Sequence, residues 1–290
     1  MSFREDLRAR IEAVDSVVSV GLDPDPDRLP DAVADHDLPR WAFNRRIIDA
    51  THEHAACFKP NAAFYEDPDG WRALQETVAY AHGKGVPVLL DAKRGDIGNT
   101  ARQYARALQP EGLDCDAITV NPYLGRDAVE PFLQQDAGVV ILARTSNAGG
   151  ADFQNLQVGN DKALYEYVAQ RCAEWDREST ADVFLVVGAT TTDELAAVRD
   201  LVPDLPFLVP GVGAQGGDAE AAVEYGLADG VGLVNSSRGI IFAGEDIGAR
   251  SAPNERATES RAARDPDDYF AAAGDAARRL KRRLNQYRKR

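Results

Sequence analysis

Short apolar runs alternate along the chain with longer amphipathic stretches. The apolar runs are too short for helices and have the composition of buried strands; they cover residues 17–22, 55–59, 86–91, 117–121, 139–143, 183–187, 207–210 and 230–235. The stretches between and around them have helical length and periodicity; they cover residues 2–14, 40–53, 69–84, 99–109, 127–136, 161–177, 192–201, 217–228 and 266–287.

Eight strand–helix alternations without an obvious linker predict an α/β fold. We expect residues 1–290 to form a single eight-stranded (β/α)8 TIM barrel, one domain with extra N- and C-terminal helices. A doubly wound parallel sheet is the alternative architecture. The number of units and the polar residues at the end of almost every strand favour the barrel.

Two connecting segments are longer than ordinary loops. Residues 23–39 are rich in Asp and Pro, and residues 236–265 are rich in Gly, Ala, Arg and Glu. Both follow strands, on the face where barrels keep their sites, so we expect either to form part of a lid or rim. Within the second, residues 240–265 are expected to be an insertion or a mobile loop.

Charge is distributed unevenly along the chain. The net charge is −14, and residues 278–290 hold eight Lys or Arg and no acid, so the remainder carries −22 once those eight cations are set aside. An acidic body repels nucleic acid and anionic membranes, and we hypothesise that its hydrated surface is adapted to high salt. The basic tail is expected to be the solvated end of a terminal helix, with an RNA-binding tail as the alternative.

Several sequence features that the chain lacks bear on its cellular compartment and on metal binding. No apolar run has the length of a membrane span and the first residues lack a signal peptide's apolar region, which predicts a cytoplasmic protein. Cys57, Cys115 and Cys172 are far apart, as expected of buried free thiols rather than of a disulfide framework or zinc site. The four histidines show no ligand spacing, so we expect no metal.

Charged residues cluster where the second and third strands end. Asp91 and Lys93 are two apart, so they share one face of the strand, and Gly95 places Asp96 in the loop beyond. If the barrel closes, Lys59, at the end of the second strand, lies within a few ångströms of them. The array is either a structural ion pair or a site in which a fixed ammonium stabilises a carbanion and protonates it. Such chemistry needs no cofactor: no metal, flavin or nicotinamide.

A glycine-rich run and an arginine follow the last two strands. Residues 211–217 read Gly-Val-Gly-Ala-Gln-Gly-Gly, and Arg238 follows the eighth strand. Glycine-rich backbone and the start of a helix near Gly217 suit a phosphate, which Arg238 can bind with two parallel hydrogen bonds. The alternative is that these glycines only make tight turns.

Taken together, these motifs resemble the orotidine 5′-phosphate decarboxylase family, specifically its longer second type. The resemblance extends in order from about Ser19 to Gly239, and rests on the runs Asp91–Thr100 (Asp-Ala-Lys-Arg-Gly-Asp-Ile-Gly-Asn-Thr), Phe58-Lys59-Pro60-Asn61, Asn121-Pro122-Tyr123-Leu124-Gly125, Arg144-Thr145-Ser146-Asn147, residues 210–217 and Ser236-Ser237-Arg238.

The resemblance implies a homodimer that converts orotidine 5′-phosphate to UMP and CO2, the last step of de novo pyrimidine nucleotide synthesis. Its implied roles are as follows: Lys93 as the general acid that protonates C6, Asp91 beside the departing carboxylate, Asp96 with Thr100 in the partner's site, Lys59 ordering the charges and touching the ribose, Asp23 on a ribose hydroxyl, Ser146 at the pyrimidine edge, and Gln215 with Arg238 on the phosphate. Asn121 and Asn147 match the motifs without an assigned role.

Two rival functions remain at this stage. Sugar-phosphate decarboxylases and aldolases on the same barrel share the Asp-x-Lys-x-x-Asp pattern and resemble magnesium enzymes; Lys59 speaks against them because a cation there disfavours a bound metal. A non-catalytic sensor of phosphate ligands predicts binding without turnover. The intact charge array speaks against it, since buried charge without function costs stability.

Overall fold

Eight parallel strands form the centre of the molecule in the computed structural model, which describes residues 2–159, 162–188, 192–212, 217–245 and 266–288. The barrel strands are β1 (Val18–Leu22), β2 (Cys57–Pro60), β3 (Leu89–Arg94), β4 (Ala117–Val120), β5 (Gly138–Arg144), β6 (Asp182–Val187), β7 (Phe207–Pro210) and β8 (Leu233–Ser236). A short antiparallel pair, Gln157–Val158 with Lys162–Ala163, lies outside the barrel.

Each strand pairs with its neighbours in sequence, and the first pairs with the last. Val18 is in register with Val234, which joins β1 to β8. Parallel bridges from Phe58 to Val88 and from Asn61 to Asp91 close the ring between β2 and β3. This order confirms the TIM barrel and excludes the doubly wound sheet, in which the strand order reverses. All eight carboxyl ends therefore meet at one mouth.

Helices surround this barrel. They are α1 (Phe3–Val14), α2 (Asp31–Ala34), α3 (Pro39–Thr51), α4 (Pro68–Gly83), α5 (Gly98–Ala105), α6 (Arg126–Leu133), α7 (Ala151–Gln154), α8 (Leu164–Asp176), α9 (Thr192–Leu201), α10 (Ala219–Glu224), α11 (Arg238–Ile241) and α12 (Pro266–Asn285). None of the helices in the described ranges is long and apolar enough to cross a membrane.

The amino-terminal helix α1 covers the closed end of the barrel. Ser2 and Glu5 form a capping box at its start, and its buried positions Phe3, Leu7 and Ile11 recur every four residues. The Phe3 ring packs edge-on against Phe184 of β6, with centroids 5.3 Å apart. Helix α1 thus covers the amino ends of β4, β5 and β6, opposite the carboxyl ends of the strands.

The carboxy-terminal helix α12 holds α1 and α3 in place. A Cβ at Gly274 would lie 2.6 Å from the carbonyl oxygen of Ala50, so glycine permits this close approach to α3. Lys281 donates to the carbonyl of Val14, and Arg288 pairs with Asp15 at 2.9 Å. Part of the basic tail thus caps the end of α1, which has no basic residue in its last turn. Within the described residues, Arg278, Arg279, Arg282 and Arg283 of the tail are exposed as expected.

The predicted elements are all present, with shifted ends. Strand β3 begins and ends three residues later than expected, because Val88 makes only an isolated bridge and Arg94 still pairs with Val120. Strand β8 begins at Leu233 rather than residue 230, because Asp229 and Gly230 form a turn with positive φ. Of the expected insertion at 240–265, residues 246–265 lie outside the described residues.

The stability of the fold is expected to depend on pH through His82 on α4. Its Nε2 lies 2.8 Å from Oδ2 of Asp116, which also accepts from the backbone N–H of Val88 at the start of β3. The hydrogen bond to Asp116 raises the pKa of His82 and outweighs burial, which lowers it. Because the folded pKa is raised, this stabilisation is complete below the ordinary value of 6.5 and is lost as the pH rises through the folded value.

We therefore expect the urea midpoint of the wild type to decrease as the pH rises from about 6 to about 8, and to decrease by more than the midpoint of His82→Gln. Parallel pH curves for the two proteins would contradict this assignment. His52 provides a control, because its ring nitrogen contacts only carbonyl oxygens of its own helix.

Candidate active site

A cavity of about 380 Å³ opens at the carboxyl ends of the strands. Residues from seven of the eight strand ends line it: Asp23, Lys59, Asn61, Asp91, Lys93, Leu142, Thr145, Ser146, Asn147, Val186, Leu208, Pro210, Gly211, Val212, Asn235, Ser236, Ser237 and Arg238. Six of the nine predicted site residues are among them. The structure therefore brings most of the predicted site residues together in one cavity.

A carboxylate between two ammonium groups lies in the cavity wall. Oδ2 of Asp91 is 2.7 Å from Nζ of Lys59, and Oδ1 is 2.6 Å from Nζ of Lys93. The side chains of Lys59 and Asp91 are 6% and 11% exposed, whereas that of Lys93 is 48% exposed. Lys93 is thus the cation of this array that a bound molecule can reach.

The pairing keeps the buried members charged. Burial alone would raise the pKa of Asp91, but the charges of Lys59 and Lys93 hold it well below its usual range. Burial alone would lower the pKa of Lys59, but the charges of Asp91 and then Asp23 raise it above its ordinary value. At neutral pH the array therefore holds a carboxylate and a buried ammonium, fixed before any ligand arrives.

The backbone at Lys93 is unusual. Its φ is +48°, in the left-handed region that costs a non-glycine residue about 1–2 kcal/mol. The expectation that Asp91 and Lys93 share a face is confirmed by their ion pair. Arg94 points to the other face, where its guanidinium lies 4.5 Å from the ring centroid of Tyr104 on α5.

Two neighbouring side chains hold the end of β1, where Asp23 lies. Oγ of Ser237 donates to its Oδ2 at 2.6 Å, and a Cβ at Gly21 would lie 2.5 Å from the Cβ of Ser237, so glycine allows the two segments to meet. Beside it, the Tyr65 hydroxyl donates to the carbonyl of Leu22. Oδ1 of Asp23 is buried and accepts no hydrogen bond from the described residues, which leaves it available to a ligand hydroxyl.

The described parts of the two long segments meet beside Asp23. The guanidinium of Arg28 forms a two-point ion pair with Glu245, with contacts of 2.6 and 3.2 Å. It also stacks 3.8 Å from the ring centroid of Phe242. The loop after β1 and the segment after β8 are thereby joined beside Asp23 and Ser237.

Ser146 lies on a loop fixed by a buried ion pair. Arg144, at the end of β5, binds both carboxylate oxygens of Glu194 on α9, at 2.9 and 3.3 Å. Its remaining nitrogen donates to the carbonyl of Thr145 and to Oε1 of Gln154, which also accepts from the backbone N–H of Thr145. The chain just before Ser146 is therefore rigid.

The phosphate region is described only in part. Arg238 lines the mouth with an exposed guanidinium that makes no hydrogen bond or ion pair within the described ranges. Gln215 lies outside the described residues. The helix expected near Gly217 begins at Ala219, and Asp218 occupies its first N–H groups by accepting from Glu220 and Ala221. This start is thus not free for an anion, a correction to the expectation.

Asp96 and Thr100 do not line the cavity of their own chain. One oxygen of Asp96 accepts from the backbone N–H of Ile97, at 2.8 Å, and Thr100 is exposed on α5. The expectation that Asp96 joins the lysines within one chain is therefore wrong, because its carboxylate lies outside the cavity and binds the backbone of its own loop. Ile97, Tyr123 and Leu124 lie on neighbouring loops and are 57%, 80% and 45% exposed.

Two polar residues that support the charged groups are not predicted from the sequence. Ser237 belongs to the Ser236-Ser237-Arg238 motif without an assigned role, and Thr119 lies inside the fourth predicted strand. Thr119 donates from Oγ1 to Oδ1 of Asp91 at 3.0 Å and accepts from the backbone N–H of Lys93 at 2.8 Å. Its one sequence signal is a hydroxyl residue inside a buried apolar strand.

In the described part of the chain, no three His, Cys, Asp or Glu residues form a group that could hold a metal ion.

Known proteins share both the sequence and the fold. The profile of the "Orotidine 5′-phosphate decarboxylase / HUMPS family" matches residues 16–251. Proteins named orotidine 5′-phosphate decarboxylase from Natronomonas pharaonis and Haloarcula marismortui are 71% and 67% identical, each match covering 99% of this chain and all of the relative. The structure of Leishmania donovani OMP decarboxylase has a TM-score of 0.75 at 39% identity, over 98% of this chain and 99% of that one. The chain therefore belongs to the orotidine 5′-phosphate decarboxylase family.

Proposed function

We propose that this protein is a carboxy-lyase that decarboxylates orotidine 5′-phosphate to UMP and CO2, the last step of de novo pyrimidine nucleotide synthesis. Full-length relatives of this name at 71% and 67% identity support the activity. The observation that carries the chemistry is the Lys59–Asp91–Lys93 array in the cavity wall. We assign the chain to the longer second type of the family on its motifs.

The reaction breaks the bond between C6 of the pyrimidine and its carboxylate. The electron pair stays on C6, CO2 departs, and the ammonium of Lys93 donates a proton to C6 before the amine regains one from water. Lys93 is suited to this role because its ammonium is accessible while Asp91 fixes its position. We assign Asp91 to the position beside the departing carboxylate.

Fixed charge is the source of stabilisation that this reaction needs. Slow uncatalysed reactions demand about 20 kcal/mol of transition-state stabilisation. Opposite unit charges at about 4 Å interact by about 4 kcal/mol at an effective dielectric constant of 20. Charges already in place need no reorganisation when the carbanion forms, so their full interaction is available at the transition state. The chemistry requires no metal or other cofactor.

The remaining residues hold the substrate. We assign Asp23 to a ribose hydroxyl because its Oδ1 is buried and without a donor in the described structure. Lys59 contacts the ribose edge, Ser146 reads the pyrimidine edge, and Arg238 with Gln215 binds the phosphate. Binding energy from the remote phosphate contributes to catalysis by ordering the surrounding loops.

We further propose a homodimer in which Asp96 and Thr100 complete the partner's site. Both residues lie outside their own cavity, and the exposed apolar side chains of Ile97, Tyr123 and Leu124 lie on the adjoining loops. Contiguous exposed apolar side chains commonly mark a protein interface. The acidic body disfavours nucleic acid and membrane partners, and we place the enzyme in the cytoplasm.

The decisive experiment follows the ultraviolet absorbance of orotidine 5′-phosphate after addition of the purified, chelator-treated protein. Conversion to UMP supports the assignment. Turnover only after Mg²⁺ is added, and only of an open-chain sugar phosphate, would instead identify the magnesium relatives. Binding without turnover would identify a sensor.

Lys93→Ala should abolish decarboxylation while UMP binding survives, because the variant loses the proton donor but keeps the ribose and phosphate contacts. We expect kcat to fall by at least about 10³-fold and the Kd of UMP, measured by calorimetry, to change by less than about fivefold. Lys84→Ala is a control, since that lysine pairs with Asp49 on the outer helices. Near-normal turnover by Lys93→Ala would refute the general-acid role.

Arg238→Ala should mainly weaken binding of phosphate-bearing ligands. The guanidinium has no other hydrogen-bond or ion-pair partner in the described structure, so its removal should cost one charge-assisted interaction, about 1.5–3 kcal/mol. The Kd of UMP should rise about 10- to 100-fold while that of uridine stays unchanged. An equal loss for both ligands would exclude a phosphate-specific role.

Mixing inactive Lys93→Ala and Asp96→Ala chains should restore activity if the sites are shared. Half of the randomly mixed dimers are hybrids with one intact site, so we expect about a quarter of wild-type specific activity. Lys93→Ala mixed with Asp91→Ala is the control, because both changes fall in one chain's contribution and no hybrid site is intact. Absence of rescue in a verified mixed dimer would contradict the shared site.

A further inference from the structure

We propose that Thr119 is a positioning residue for the reaction, which sets the backbone of Lys93 and the carboxylate of Asp91 relative to each other. The inference rests on the proposed function and extends it to a side chain outside the cavity lining. Thr119 lies on β4, is 1% exposed and does not line the cavity, so it acts through its neighbours.

The donor and acceptor roles of the Thr119 hydroxyl follow from its two partners. An amide N–H can only donate and an ionised carboxylate can only accept. Oγ1 therefore accepts from the backbone N–H of Lys93 at 2.8 Å and donates its single proton to Oδ1 of Asp91 at 3.0 Å. Nζ of Lys93 binds the same Oδ1 at 2.6 Å, which closes a ring through the Lys93 backbone, Thr119, Asp91 and the Lys93 ammonium.

The hydrogen-bond ladder to β4 is interrupted in this part of β3, although Asp91 is bridged to Asn61 of β2 on the other side. Leu90 is in register with Ile118 and Arg94 with Val120, so residues 91–93 all lie opposite Thr119 alone. A register irregularity of this kind leaves backbone groups without ladder partners. The Thr119 side chain supplies the partner for the N–H of Lys93, at the residue whose φ is +48°. The hydroxyl thus replaces the ladder where the backbone is strained.

This geometry has a catalytic consequence. A strained backbone persists only when its surroundings determine it, and small errors in the placement of a reacting group cost large factors in rate. Without the hydroxyl, the part-buried N–H of Lys93 loses its partner, and the backbone is expected to relax toward an ordinary strand. That change would move the ammonium away from its position beside Asp91. Ribose and phosphate contacts, which come from other strands, would remain.

Two near-isosteric substitutions separate positioning from packing. Thr119→Val keeps the shape and removes the hydroxyl, whereas Thr119→Ser keeps the hydroxyl and removes a methyl group. We expect Thr119→Val to lower kcat about tenfold or more with less than about a twofold change in the Kd of UMP, and Thr119→Ser to stay within about threefold of the wild-type kcat. Thr51→Val is the matched control, because Thr51 is equally buried but its hydroxyl donates only to Ile47 in its own helix.

The outcomes distinguish this inference from the proposed function. Absence of turnover in the wild type would contradict the proposed function itself. With an active wild type, a normal kcat for Thr119→Val, or a kcat for Thr119→Ser as low as that for Thr119→Val, would overturn the positioning role. If Thr119→Val fails to fold, Thr119→Cys replaces it: the weakly bonding thiol should give a kcat below that of Thr119→Ser, and equal values would contradict the inference.

Discussion

The structure of this site depends on one carboxylate held between two ammonium groups. Asp91 is nearly buried, and a lone charge there would be expelled or neutralised. Lys59 and Lys93 each bind one of its oxygens, and Thr119 adds a third hydrogen bond. Because every member depends on the others, the group is stable only as a whole. A preformed array of this kind provides a fixed electrostatic environment, which the formation of a carbanion by loss of CO2 requires.

The closed barrel is what brings these charges together. Lys59 and Asp91 are 32 residues apart but lie on adjacent strands, where the Asn61–Asp91 bridge sets the register. A shift of one residue would turn one of the two side chains away from the other. Helix α1 packs over the opposite end through Phe3 and Phe184. The barrel therefore fixes the ion pairs by register and places them at the carboxyl ends of the strands.

The sequence predicts this arrangement as far as periodicity and chain order reach. The strand period places Asp91 and Lys93 on one face, and eight units imply that Lys59 meets them. Two features depend instead on local geometry that no period encodes. The left-handed backbone at Lys93 coincides with three residues lying opposite Thr119, and Asp96 lies outside the cavity of its own chain. Asp218 caps the start of α10, and its carboxylate accepts from N–H groups that the sequence suggests are free to bind a phosphate.

The supporting residues share a physical logic with the charged ones. Thr119, Ser237 and Gln154 are neutral groups that can both donate and accept, so they join two elements without adding charge to a crowded site. In the proposed mechanism the charged array stabilises the transition state, and the neutral hydrogen bonds hold its members in position. Asp23 illustrates the division: Ser237 donates to one of its oxygens, and the other is buried without a donor in the described structure. The ribose hydroxyl that we propose as its ligand would satisfy that oxygen and so add to the binding energy.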